Sequence, residues 1–324
     1  MTDKRIRVGV VGVGYLGKHH ARIYSEMPNV ELVGVVDINH KRAEEIARIY
    51  QTTPYFDHHT FIEKESPDAV SIVVPTTSHF EVARDFLQRD IHILVEKPVT
   101  RTVEEAAELL KMAKKKNLIL QVGHIERFNA AVQTVKNIIK DPIFIQSQRM
   151  GPYNHRINDV GVVLDLMIHD IDVILSLVKS PIREIKSFGQ KVVSTTEDIA
   201  STQIYFENGC IAHILVSRVT EAKVRKLQVI QKGAYIYLDY GQQSINIYKQ
   251  MDSQHLPLLK ESTSGMVTII ERPSIKKEEP LKLELNHFIK CVKDGKEPLV
   301  TIENGKKALE VALNILKEIE GNIT

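Results

Sequence analysis

Apolar, β-branched runs alternate with amphipathic stretches through the first third of the chain. Residues Arg5 to Gly12 read RIRVGVVG, apolar on both faces, as expected of a central parallel strand covered by helices on each side. Gly17 to Met27 can form the helix that follows, Pro28 and Asn29 stop it, and ELVGVVD at Glu31–Asp37 reads as the next strand. The same reading predicts helix Asn39–Tyr50, strand Asp68–Pro75, helix Ser78–Arg89, strand His92–Glu96, helix Thr102–Lys116 and strand Leu118–Val122. Such an alternation over roughly 120 residues predicts an α/β fold built on a doubly wound parallel sheet.

After Gly123 the pattern changes. A helix near Asn129–Lys140 and a strand at Pro142–Arg149 precede a loop, a long helix at Val160–Val178 and then strands in series. Glu207-Asn208-Gly209 between STQIYF and CIAHILV is a hairpin signal, and KLQVIQ, AYIYLDY and SINIYK are further alternating runs. These predict one large, mostly antiparallel sheet, with closing helices near Leu281–Asp294 and Thr301–Ile319. The expected division is residues 1–123 as a doubly wound domain and 124–324 as a second α/β domain. No internal repeat or low-complexity linker interrupts the chain.

Composition narrows the function. With 324 residues and 43% hydrophobic positions the chain can build two domains of about 150 residues, each with its own core. The 43 Lys+Arg against 41 Asp+Glu leave a net charge of +2, without the basic field that nucleic-acid binding needs. Cys210 and Cys291 are too far apart in sequence for a CxxC pair or a thiolate-rich zinc site. Gly, Pro or charge breaks every apolar run before the ~18 residues of a membrane span, so the reading is a soluble, cytoplasmic protein without a membrane partner.

Gly12-Val13-Gly14-Tyr15-Leu16-Gly17 is GxGxxG at a strand-to-helix junction. Gly12 permits the tight turn, Gly14 lets backbone approach a pyrophosphate, and Gly17 lets helix and strand pack closely, while free helix N–H groups face the phosphate. Asp37, at the end of the second strand, is placed to accept hydrogen bonds from both adenosine ribose hydroxyls and to repel a 2′-phosphate, which favours NAD over NADP. His40, Lys41 and Arg42 could soften that preference or be solvated helix charges. The fifth strand ends in Glu96-Lys97-Pro98, and Pro75, Thr76 and His79 close the fourth, all beyond carboxyl ends where ligands bind in open α/β sheets.

The helix VGVVLDLMIHDIDVILSLV is apolar almost all round except for Asp165, His169 and Asp172, which fall on one stripe. Buried ionisable groups are costly unless paired or facing a site, so the stripe is either a hydrogen-bonded polar cluster or chemistry. No HExxH, third histidine or cysteine supports a metal there, and no metal is expected.

Taken together, GVGYLG, Asp37, VPTTSH at 74–79, EKP at 96–98, GHIERFN at 123–129 and DLMIHDID at 165–172 resemble the glucose-fructose oxidoreductase, inositol dehydrogenase and rhizopine-catabolism (Gfo/Idh/MocA) family of NAD(P)-dependent oxidoreductases. The resemblance spans the whole chain. It implies a Rossmann domain followed by an α/β domain whose open sheet mediates a homo-oligomer, dimer or tetramer. It implies Lys97, Asp165 and His169 as the catalytic set, a cis Lys97-Pro98 bond, and NAD contacts from the glycine loop, Tyr15 and Leu16 included, with Asp37, Pro75, Thr76, His79, Glu96, Lys97 and Pro98. The chain has Asn158-Asp159-Val160-Gly161 where many members are glycine-rich before the D-x-x-x-H pair.

GHIERFN with DVGVVLDLMIHDID looks most like the nucleotide-sugar branch, which implies oxidation of the 3-hydroxyl of UDP-N-acetylglucosamine in supply of lipid A amino sugars. A diphosphate needs cations, and Arg127, Arg149, His155 and Arg156 are the candidates. His169 is the expected general base and Lys97 the donor to the developing alkoxide, with Asp165 orienting or balancing them; the roles of Lys97 and His169 could be exchanged. A free-sugar or inositol dehydrogenase is the nearer rival. A non-enzymatic dinucleotide-sensing regulator is the rival of another class, and it would carry a damaged catalytic set.

Overall fold

The computed structural model describes residues 5–154, 160–252 and 266–321. Residues 6 to 11 carry β-branched side chains toward both faces, and they lie at the centre of a parallel sheet, where helices bury both. The elements run β1 (Ile6–Val11), α1 (Gly17–Glu26), β2 (Val30–Val36), α2 (His40–Tyr50), β3 (Thr53–Tyr55), α3 (His58–Glu65), β4 (Ala69–Ile72), α4 (His79–Gln88), β5 (His92–Glu96), α5 (Val103–Lys116) and β6 (Leu120–Gly123). Strand order β3-β2-β1-β4-β5-β6 puts the switch in winding direction between β1 and β4, where an open α/β sheet forms its ligand crevice. Local chemistry sets the helix starts. Asn39 accepts a hydrogen bond from the Arg42 amide, and Thr102 with Glu105 forms a reciprocal capping box.

The second sheet follows α6 (Ala130–Lys136) and is built from β7 (Phe144–Met150), β8 (Ile182–Gln190), β9 (Ile199–Phe206), β10 (Ile211–Ser217), β11 (Val224–Gln231), β12 (Ala234–Asp239), β13 (Ser244–Asp252) and β14 (Met266–Glu271). Its order is β14-β13-β12-β11-β7-β10-β9-β8, and every pairing is antiparallel except β7 with β10. The expected hairpin is present, with Gly209 at φ +85° between β9 and β10. Between β7 and β8 the chain forms a π-helical turn at Val163–Met167 that runs directly into α7 (Ile168–Leu177). The single long helix expected over 160–178 therefore has an expanded first turn, and Asp165 sits on it. Such bulges recur at functional sites.

The chain closes with α8 (Pro280–Asp294) and α9 (Ile302–Gly321). Two compact units result: one holds the chain up to Ile125 together with Glu279–Glu310, the other Glu126–Glu278 with the chain from Val311 onward. The return of the closing segment to the first unit differs from the expectation that 124–324 forms one domain. The reason is apolar burial: Leu281, Leu285, Phe288 and Ile289 on α8 join Val8, Val10, Ile23, Tyr24 and Leu94 in the Rossmann core. No helix among the described residues is long and apolar enough to cross a membrane.

Candidate active site

The first unit builds a dinucleotide cradle from β1 and the loop after it. Gly12 has φ +86°, and a Cβ there would lie 2.5 Å from the Val73 carbonyl; a Cβ on Gly17 would lie 1.8 Å from the Gly12 carbonyl. Neither position accepts a side chain. Around Gly14, by contrast, a Cβ would meet nothing within 4 Å, which leaves room for a phosphate against the backbone. The first turn of α1 has no side-chain cap and no acidic residue, so its N–H groups and positive dipole end suit an anion. Tyr15 is 68% exposed and Leu16 36% exposed at the loop's surface.

Asp37 is locked to this loop. Its Oδ2 accepts from the Val13 amide at 3.0 Å and its Oδ1 from the Asn39 amide at 2.9 Å, which fixes the carboxylate beyond β2 with lone pairs left for ribose hydroxyls. Arg42 is fixed as well. Its Nε donates to the Val13 carbonyl at 2.8 Å and its Nη1 to Glu45 at 2.8 Å, so it braces the glycine loop. His40 stacks on Phe56, with ring centroids 3.8 Å apart and planes at 8°. These residues fit an NAD molecule: glycine amides and a helix N-terminus for its pyrophosphate, a carboxylate for its ribose.

Lys97 follows β5 and is half-buried, with a cis bond to Pro98 as expected. The groups beneath it are buried. His79 is 1% exposed and its two ring nitrogens lie 2.8 Å from the Pro98 carbonyl and 2.9 Å from the Val74 carbonyl, tying the end of β4 to the turn after Lys97. Burial lowers the His79 pKa, outweighing the carbonyls that raise it. Its ring is spent on protein carbonyls. Glu96 is also buried, 3.3 Å from His20, and accepts from the Lys97 amide at 3.3 Å. Pro75 is exposed, and Thr76 begins a short 3-10 turn that leads into α4.

In the second unit the acidic stripe divides. Asp165 and His169 are half-buried, whereas Asp172 is 2% exposed and 3.1 Å from the Arg127 guanidinium. Asp170, one position off the expected stripe, is completely buried. It accepts from Arg149 Nε at 2.8 Å and from the Ser147 hydroxyl at 2.7 Å, while Arg149 Nη1 donates to Glu126 at 2.8 Å. Burial alone would lower the Arg149 pKa, but Asp170 and Glu126 hold it well above its ordinary value. Arg127 and Arg149, expected to face a diphosphate, are thus 6% and 2% exposed and committed to buried ion pairs. The sequence pattern could not pair them, because their partners lie 45 and 21 positions away. Arg156 and His155, with Asn158 and Asp159, lie outside the described residues.

A cavity of about 600 Å³ opens where Asp165 and Leu166 face Gly151, Tyr153, Ser217 and Arg218. Three further cations line it: the ion-paired Arg149, Lys223, which is exposed, and Arg225, which is half-buried on β11 directly opposite Arg149 in the ladder. Arg218 is saturated by Asp198, the Val160 carbonyl, Ser194 and Thr196. Arg225 is different: among the described residues its guanidinium makes no ion pair, and burial followed by repulsion from Arg149 pulls its pKa down, outweighing the attraction of Glu126, Asp170 and Asp165. Arg225 carried no signal in the sequence because it stands just before the alternating run KLQVIQ, which reads as an ordinary strand.

Known proteins match along the whole chain. Residues 6–124 match the "Oxidoreductase family, NAD-binding Rossmann fold", and residues 132–236 the "GFO/IDH/MocA C-terminal domain". A UDP-N-acetylglucosamine 3-dehydrogenase of Acidithiobacillus ferrooxidans is 30% identical over 316 residues, 97% of each chain. Its solved structure superposes with a TM-score of 0.89 at 29% identity, covering 99% of each chain. The scyllo-inositol 2-dehydrogenase (NAD(+)) of Bacillus subtilis is 28% identical over 329 residues, 96% of this chain and 93% of that one. The cradle around Gly14 and Asp37 and these matches agree, and the chain belongs to the Gfo/Idh/MocA family of NAD-binding oxidoreductases.

Proposed function

We propose that this protein oxidises the 3-hydroxyl of the sugar ring of UDP-N-acetylglucosamine to a ketone. The observation that carries this reading is Arg225, a half-buried guanidinium that makes no ion pair among the described residues, in a cavity walled by Asp165. A half-buried cation beside another arginine is stabilised by an anionic ligand, and the diphosphate of a nucleotide sugar supplies two negative groups for Arg225 and Lys223. An inositol offers no such charge. The whole-length likeness to a UDP-N-acetylglucosamine 3-dehydrogenase supports the same substrate.

When bound, NAD supplies the hydride acceptor. His169 takes the hydroxyl proton, Asp165 orients that base, and Lys97 is the donor that stabilises the growing negative charge. The reaction converts one alcohol and oxidised cofactor into one ketone, reduced cofactor and a proton. The 3-keto sugar then suits an aminotransferase that makes a 3-amino sugar, as in lipid A supply. Half-buried Tyr235, Tyr237 and Tyr248 on neighbouring strands β12 and β13 support assembly of two or more copies through the open sheet, which light scattering at micromolar concentration checks. The substrate test is NADH formation from UDP-N-acetylglucosamine with an aminotransferase present to remove the ketone. Turnover of inositol or free sugars alone would replace this reading with the polyol one.

A further inference from the structure

The first unit carries a second constellation of donor atoms, on α3 and α4, that the dinucleotide cradle does not use. Asp57 caps α3 by accepting from the Thr60 amide at 2.8 Å, which places His58 and His59 in the helix's first turn. Asp85 sits on α4. His58 Nε2 lies 3.0 Å from Asp85 Oδ2 and His59 Nε2 lies 3.7 Å from the same oxygen. The two imidazoles are 4.1 Å apart between centroids, and the donor atoms of all three residues lie within 4.8 Å of one another.

We infer that His58, His59 and Asp85 form a binding site for a zinc-class divalent cation that clips α3 to α4. Ligands about 2.0–2.1 Å from zinc at tetrahedral angles stand about 3.3 Å apart, and the separations of 3.0 and 3.7 Å from the shared carboxylate oxygen bracket that value. Two imidazoles and one carboxylate are the donor set that borderline metals prefer, whereas magnesium and calcium take oxygen ligands. The second carboxylate oxygen is occupied: Arg84 donates to Oδ1 at 3.4 Å, which helps orient Oδ2 toward the imidazoles. Glu63, one turn beyond His59, shares with His59 and Asp85 the lining of a cavity of about 180 Å³ and can complete the coordination, directly or through water. His58 and Asp85 are 20% and 17% exposed while His59 is 66% exposed, so the site is open to solvent on one side and an ion can enter.

The test uses the full-length protein, freed of any affinity tag and dialysed against chelator, titrated with zinc chloride by calorimetry. One equivalent binds to the wild type, and His59→Ala and Asp85→Asn each weaken it by about 10- to 100-fold, while His213→Ala, on the other unit, leaves it unchanged. Cobalt(II) added to the wild type gives the intense ligand-field absorption of a tetrahedral site, absent in His59→Ala. Circular dichroism and NAD binding of the variants match the wild type, since neither residue belongs to the cofactor cradle. No saturable zinc binding, or binding of equal strength in all the variants, would overturn the inference and leave a plain His–Asp hydrogen bond.

Discussion

Arg225 and Arg149 are ladder partners of which only Arg149 is ion-paired among the described residues, and this makes opposite predictions for the same substitution. Arg149→Met strands Asp170 and Glu126, both buried, without their cation, and a broken buried pair costs about 3–5 kcal/mol. Arg225→Met breaks no ion pair among the described residues, and the burial cost and Arg149 repulsion it removes outweigh the attraction it loses from Glu126, Asp170 and Asp165. Its unfolding free energy stays within about 0.5 kcal/mol of wild type or rises. Function moves the other way. A charge-assisted hydrogen bond contributes about 1.5–3 kcal/mol, so Arg225→Met loses about 10- to 150-fold in kcat/KM for the nucleotide sugar, chiefly through KM. The assay pairs urea unfolding with initial-rate kinetics at varied UDP-N-acetylglucosamine, with NAD binding as the control. Arg225→Met destabilised as strongly as Arg149→Met, with KM for the sugar unmoved, would refute the reasoning.

Asp37→Ser removes the carboxylate held by the Val13 and Asn39 amides; NAD affinity falls and discrimination against NADP relaxes, as calorimetry with both cofactors checks. Lys97→Ala and His169→Ala each lower turnover by about 10²–10⁴-fold while NAD binding survives, and loss of both together would mark a structural role instead. Asp198 tests the acid limb of stability. Burial pushes its carboxyl up, but the amides of Val192 and Val193 and the guanidinium of Arg218 outweigh this and hold it well below the usual range. Its stabilising contribution is complete above about pH 4 and is lost as pH falls through the depressed folded-state pKa, so Asp198→Asn is less stable at pH 7 and loses less between pH 4 and the acid transition in a urea series.

Particular residues show what was legible in the chain. Gly12 and Gly17 could be read as obligatory glycines because backbone geometry alone demands them, and Asp37 by its spacing as a carboxylate beyond β2, where it meets the loop at Val13. The alternating runs gave the second sheet its mostly antiparallel character, but the parallel insertion of β7 beside β10 is a long-range pairing that no local period encodes. Thr53–Tyr55 and His58–Glu65 went unread: three residues with a proline, then HHTFIEKE with only Phe61 and Ile62 buried, carry too little periodic signal. The π-helical turn under Asp165 is a backbone hydrogen-bond shift, invisible in the order of side chains. Arginines were legible as cations but not as partners. Which of them is neutralised depends on Asp170, Asp172 and Asp198, residues distant in sequence, and that choice leaves Arg225 without an ion pair among the described residues.

The central claim is the substrate. Purified protein with NAD, UDP-N-acetylglucosamine, an aminotransferase and its amino donor is followed by NADH absorbance, with the product identified by mass spectrometry and NMR at carbon 3. The account predicts NADH formed in step with a 3-amino UDP-sugar, and no comparable rate with N-acetylglucosamine or inositol in place of the nucleotide sugar. NADH formed from inositol or a free sugar, with UDP-N-acetylglucosamine untouched, would contradict it.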